Sequence, residues 1–184
     1  MKNMEIKLSQ PPIDTDAMPA PLRSVLHYWQ HQCGANTLPI CTDFKLDELE
    51  PSIIPWSVMV DVIVTADGVP DFIYRFWGTQ RARFQGQDRT GQSVHEIHPA
   101  AVADKVYHEF LNVLETKQPQ HFVTEISYPG GDTARWQGLR LPLGNVAGDV
   151  EKIVGVCAEC EFPHAYFRVQ GNNPPLGYIA QDSK

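Results

Sequence analysis

Residues 72–91 read FIYRFWGTQRARFQGQDRTG, and a change of period inside this stretch decides the fold. Phe72, Tyr74 and Phe76 alternate with Ile73, Arg75 and Trp77, the two-residue period of a strand. The alternation stops at Gly78. Phe84, Gly86, Asp88, Thr90 and Gly91 follow at the spacing of short helices and turns. A chain that leaves a sheet in this way opens a pocket, so residues 78–91 are expected to form its rim, with Gly78, Gly86 and Gly91 as structural positions.

Working outward, Val58 to Val64 is rich in β-branched residues, and Asp67-Gly68 supplies the turn of a hairpin. Pairing Val64 with Phe72 sets Val62 against Tyr74, Asp61 against Arg75 and Val60 against Phe76. One face then carries Val58, Val60, Val62, Val64, Phe72, Tyr74 and Phe76 and belongs to the core. The other carries Met59, Asp61, Ile63, Ile73, Arg75 and Trp77, with an Asp61–Arg75 ion pair among apolar neighbours. Such a face requires cover. Leu22, Val25, Leu26 and Trp29 recur at helical spacing after Pro21, so this helix or a second protomer is expected to lie on it. Trp29, Met59, Ile63 and Trp77 are therefore the expected interface of a homodimer. A second short helix is expected over residues 43–49.

Downstream, residues 93–97 read as one helical turn, and Pro99 suits the start of a longer helix. Val102, Val106, Phe110, Val113 and Leu114 form its apolar stripe, while Asp104, Lys105, His108, Glu109 and Asn112 are expected to face solvent. Burying the stripe contributes roughly 1.5–3 kcal/mol per side chain before conformational entropy is subtracted. Strands are expected over residues 121–128, 133–143 and 152–160. Pro129-Gly130-Gly131 and the turn residues between Gly144 and Asp149 make them antiparallel neighbours. The chain thus divides into a flexible leader (1–20), an N-terminal helical extension (21–56), a folded domain (57–162) and a Pro/Gly-rich tail (163–184).

A length of 184 residues admits one domain with a real core. The formal net charge of −7 argues against a nucleic-acid binder, whose affinity comes from clustered Lys and Arg. Only Arg75, Arg81, Arg83 and Arg89 cluster. No window has the length and apolarity of a signal sequence or a membrane span, so a cytoplasmic protein is expected, with its four cysteines reduced.

The chemistry-bearing residues point away from catalysis. No G-x-S-x-G, P-loop, HExxH or dinucleotide fingerprint is present. Cys157 and Cys160, three apart in a strand, point to opposite faces. His27 and His31 share a helix face, and His108 falls on the solvent side of its helix. His95 and His98 flank the short helical turn near the expected pocket mouth, and Phe76, Phe84, Phe110 and Trp136 converge as its apolar lining. These six residues are the expected ligand-binding set. No catalytic residue, metal ligand or cofactor is required. The alternatives are a haem or metal sensor, and a small cavity-based acid/base enzyme of isomerase or dehydratase type using Asp61 or Glu125 with a histidine.

The element order, a hairpin, short helices, a long helix and three more antiparallel strands, resembles a PAS domain. The runs Phe72-x-Tyr74-Arg75-Phe76-x-Gly78-Thr79 and Phe84-x-Gly86-x-Asp88-x-Thr90-Gly91, with Tyr28-Trp29 and Leu141-Pro142-Leu143, are similar to a bacterial PAS subfamily of about this length. The resemblance spans residues 22–162. It implies an α+β fold, a five-stranded antiparallel sheet with helices on one face and a ligand cavity between them. It also implies a non-catalytic sensory or regulatory module that signals in trans to a partner protein and binds a small hydrophobic or planar ligand.

Overall fold

The hairpin forms, and a larger sheet grows around it. A computed structural model describes residues 5–127, 131 and 133–161, without the side chains of residues 5, 6, 84 and 159–161. The expected tail, the Phe84 ring and the Cys160 thiol lie outside the described residues. In chain order the elements are β1 (Glu5–Ser9), α1 (Ala20–Cys33), β2 (Val58–Val64), β3 (Pro70–Trp77), α2 (Thr79–Gln85), α3 (Ala100–Thr116), β4 (Gln120–Ser127), β5 (Thr133–Gly144) and β6 (Val150–Glu161). Single 3-10 turns occupy Leu46–Glu48, Ile54–Trp56 and Val94–Glu96. The expected helix over residues 43–49 shrinks to the first of these turns, because Lys45 and Leu49 on either side are extended.

The strands lie in the order β1-β4-β5-β6-β2-β3, with antiparallel neighbours throughout. Five strands were expected and six are present among the described residues. The sixth is β1, from the stretch expected to be a flexible leader, which pairs along β4 from Glu5↔Ser127 to Ser9↔Val123. The added strand covers a β4 edge whose backbone donors and acceptors would otherwise be open.

The hairpin register differs from the expected one by two residues. Val62 faces Phe72, Val60 faces Tyr74 and Asp61 faces Ile73. A bulge follows, so that Met59 pairs with Phe76 and Val58 with Trp77, leaving Arg75 as the extra residue. An even shift keeps every side chain before the bulge on its expected face. Beyond the bulge the faces exchange: Trp77 turns to the inner face and is buried, and Phe76 turns to the outer face, half-buried. Val64, expected in the core, is 72% exposed because it lies past the part of β2 that pairs with β6.

The Asp61–Arg75 ion pair is present, on the diagonal rather than directly opposed, with Arg75 Nη2 2.5 Å and Nε 2.8 Å from Asp61 Oδ2. Lys152, facing Asp61 from β6, binds the other carboxylate oxygen. Burial pushes the Asp61 carboxyl pKa up, but the Lys152 and Arg75 hydrogen bonds and charges outweigh it and hold the pKa below the ordinary value.

Two apolar layers sandwich the sheet. On the inner face α3 packs against β3, β5 and β6, with Phe110 fully buried 5.2 Å from Phe72. Alternation along β5 and β6 puts Leu139, Leu141, Leu143, Val154 and Val156 on the opposite face, where all five are fully buried. There α1 packs against β5 and β6 through Leu22, Val25, Leu26 and Trp29, and Trp29 Nε1 donates to the Pro142 carbonyl at 2.8 Å. Trp29 and Trp77, expected at an interface between protomers, are thus interior residues of one chain. Met59 and Ile63 remain on the outer face, half-buried and 41% exposed.

Candidate functional site

The inner face of the sheet, α2 and α3 enclose a cavity with about 60 Å³ open to water-sized molecules. Its floor comes from the inward positions of the strands: Val58 of β2, Tyr74 and Trp77 of β3, Trp136 and Arg140 of β5, and Phe122, Thr124 and Ile126 of β4. Val102, Val106 and Glu109 of α3 form the roof, with Ile97 beside them. Arg81 and Gln85 of α2 close one side, and Leu8 of β1 closes another. The strand absent from the expected fold therefore supplies part of the wall.

Two residues shape the backbone around this space. Gly78, between β3 and α2, admits no side chain, because a Cβ there would lie 2.3 Å from the Pro55 carbonyl oxygen and 2.8 Å from that of Ser57. Gly86 ends α2 in a left-handed conformation at φ 75°, which glycine adopts without steric penalty. Below the cavity, a Cβ on Gly138 would lie 2.1 Å from the Val156 carbonyl oxygen.

Two oppositely charged groups of the wall, Glu109 and Arg140, are committed to each other. Arg140 donates from Nε and Nη2 to Glu109 Oε2, the first at 2.9 Å, and both side chains are more than nine-tenths buried. The Arg140 guanidinium also lies over the Phe110 ring at 4.2 Å and the Phe122 ring at 4.8 Å, a cation–π arrangement that offsets part of its desolvation. Arg81 Nη1 donates to Cys157 Sγ at 3.1 Å, and its guanidinium is 5.8 Å from the Trp77 ring. Burial pushes the Tyr74 hydroxyl pKa up against the nearby charges of Arg140, Arg81 and Arg89, so this phenol stays protonated.

Of the six residues expected to bind a ligand, the cavity wall contains Trp136. Phe110 lies in the core beside Arg140, without reaching the cavity. Phe76 is on the other side of the sheet because of the bulge. The Phe84 side chain lies outside the described residues. His95 is exposed, stacks on Tyr107 at 4.7 Å and sits 3.8 Å from Asp71 at the sheet edge, and His98 is exposed. Both histidines are off the cavity because Ser93 and Glu96 form a reciprocal cap that places their turn on the flank of β3.

Glu109, assigned to solvent from its charge, is 7% exposed. Its position carried a signal: it is seven residues after Val102, three after Val106 and four before Val113, in the middle of the apolar stripe. Arg140 carried one too, as a lone charge in an apolar run flanked by Leu139 and Leu141.

Asp61 and Glu125, the carboxylates considered for acid/base work, are not in the cavity wall. Asp61 is in the ion-pair cluster of the outer face, and Glu125 is a surface partner of Arg135 and Lys7. Among the described residues no three His, Cys, Asp or Glu side chains gather as a metal site. Among them, too, no helix is long and apolar enough to cross a membrane.

Similar solved structures include a light-oxygen-voltage domain studied with a flavin analogue (18% identity, covering 60% of this chain and 78% of that one, TM-score 0.40). Others are VqmA bound to DPO (13%, 60% and 56%, 0.42) and a PAS domain from Colwellia psychrerythraea (13%, 56% and 86%, 0.36). No curated protein matches the chain. The family model of the PAS fold matches residues 59–160, from β2 to the end of β6 and over half of the sequence. With the sheet order and the cavity under α3 in place, the chain belongs to the PAS fold family, a family of sensory modules.

Proposed function

We propose that this PAS module is a non-catalytic regulator that binds a small molecule in the cavity under α3 and passes its occupancy to a separate protein. The observation that carries the reading is the wall itself. It is built mainly from aromatic and aliphatic side chains, and its buried charges at Glu109 and Arg140 are spent on each other, which suits recognition better than proton transfer. The free thiols of Cys33, Cys41 and Cys157 fit a reducing, cytoplasmic setting.

The hairpin links cavity to surface. Val58 and Tyr74 line the cavity, while Ile63, Val64 and Val69, in or between the same two strands, are exposed. A ligand that favours one placement of this hairpin changes the apolar surface offered to a partner. Native mass spectrometry of the purified protein tests the reading, with a retained mass that disappears in Val106→Trp as the expected result. A retained molecule that survives that substitution, or one that the protein turns over, overturns it. Sedimentation of the wild type and Ile63→Asp asks whether the partner is a second copy: a dimer that dissociates on substitution says that it is.

A further inference from the structure

The Trp77 indole is a donor in the cavity wall with no acceptor among the described residues. Trp77 is 5% exposed and lines the cavity, and its Nε1–H is buried without an acceptor among the described residues. An unsatisfied buried N–H costs about 1–3 kcal/mol, so the position favours any occupant that supplies an acceptor. Beside it Arg140 is paired with Glu109, and Arg81 Nη1 donates to the Cys157 thiol.

Size narrows the class. At roughly 10–15 Å³ of such space per water, about 60 Å³ holds four to six waters, and at roughly 30 Å³ of liquid volume each this is near the bulk of one six-membered ring. The surfaces beside Trp77 suit a flat ring, since Tyr74 stands edge-to-face to it at 4.6 Å and Val106 and Ile126 are aliphatic.

We propose that the cavity takes a small monocyclic aromatic or heteroaromatic molecule with one hydrogen-bond acceptor, and that Trp77 Nε1–H donates to that acceptor. The proposal rests on the cavity being the sensory site. The chain has four tryptophans, so nitrogen–proton spectra of the full protein give at most four indole signals. The Trp77 signal is identified by its loss in Trp77→Phe or, should that variant not fold, by its through-space contact with the Tyr74 ring in the wild type.

The probes are pyridine, which carries an acceptor, and benzene, which has the same shape without one, added at mildly alkaline pH where pyridine is neutral. Pyridine is expected to move the Trp77 indole proton downfield and to bind roughly 2- to 10-fold more tightly than benzene, a difference lost in Trp77→Phe. Equal binding with an unmoved Trp77 signal overturns the proposal, assigns the N–H to a buried water, and leaves the cavity as a binding site. If neither probe perturbs a residue of the wall, the proposal also fails. The mass spectrum of the purified protein then separately decides whether the cavity binds anything else.

Discussion

Glu109 of α3 and Arg140 of β5 form a buried ion pair that joins the long helix to the middle of the sheet, with Arg140 Nε 2.9 Å from Glu109 Oε2. Such a pair adds little net stability over an apolar replacement, yet losing one partner leaves a charge stranded in a low-dielectric interior. Glu109→Leu is expected to destabilise the protein by about 3–5 kcal/mol. The double variant Glu109→Leu/Arg140→Met should recover most of that loss. Urea unfolding of the two variants checks both statements, and a double variant as unstable as the single one would contradict them.

Trp29→Phe keeps an aromatic ring in the layer under α1 but removes the donor to the Pro142 carbonyl together with part of the buried indole volume. Leaving the buried acceptor unsatisfied is expected to cost about 1–3 kcal/mol, and the lost ring volume adds to it. The unfolding midpoint should fall with an unchanged denaturant slope.

The Asp61 carboxyl has a folded-state pKa below its ordinary value of 3.8. A lowered folded value means that the unfolded state binds the proton first as pH falls. The stability that Asp61 contributes is therefore fully present above about pH 3.8 and is lost as pH drops through the folded-state value. Wild type and Asp61→Asn, compared by unfolding free energy against pH, should differ most near neutrality and converge in acid. A gap that widens in acid would give the shift the opposite sign.

Gly138→Ala places a Cβ 2.1 Å from the Val156 carbonyl oxygen and 2.6 Å from the Phe122 ring. The first contact is with the backbone of a paired strand, which cannot move alone. A loss of about 3 kcal/mol, at the upper end of overpacking costs, is expected, together with a displaced Phe122 resonance, since that ring lies between Gly138 and the cavity.

Elements with a strong local period were legible in the chain. The β2–β3 hairpin follows from β-branched alternation around Asp67-Gly68, and α3 from its apolar stripe. The Asp61–Arg75 contact survived an incorrect register because the side-chain period is two and the error was two. The site was less legible. Arg75 is the extra residue of a bulge, and nothing in FIYRFW announces it, since a bulge is fixed by how β2 must meet both β3 and β6. That one residue sends Trp77 into the cavity and Phe76 out of it. Glu109 was legible by position and misjudged by charge, because its burial depends on Arg140, 31 residues away.

What the sequence by itself determined is α1, the β2–β3 hairpin, α3 and the last three strands with their antiparallel neighbours, and the PAS resemblance. All of these rest on periodicity and turn chemistry acting over a few residues. The tertiary structure alone decided that Glu5–Ser9 would complete the sheet as a sixth strand and wall the cavity with Leu8. Of the two covers expected for the outer face, it set α1 over β5 and β6, and it placed Trp77 with the Glu109–Arg140 pair in the interior. These outcomes depend on pairing and burial between segments far apart in sequence, where the gain comes from satisfying another segment's open edge, charge or apolar face.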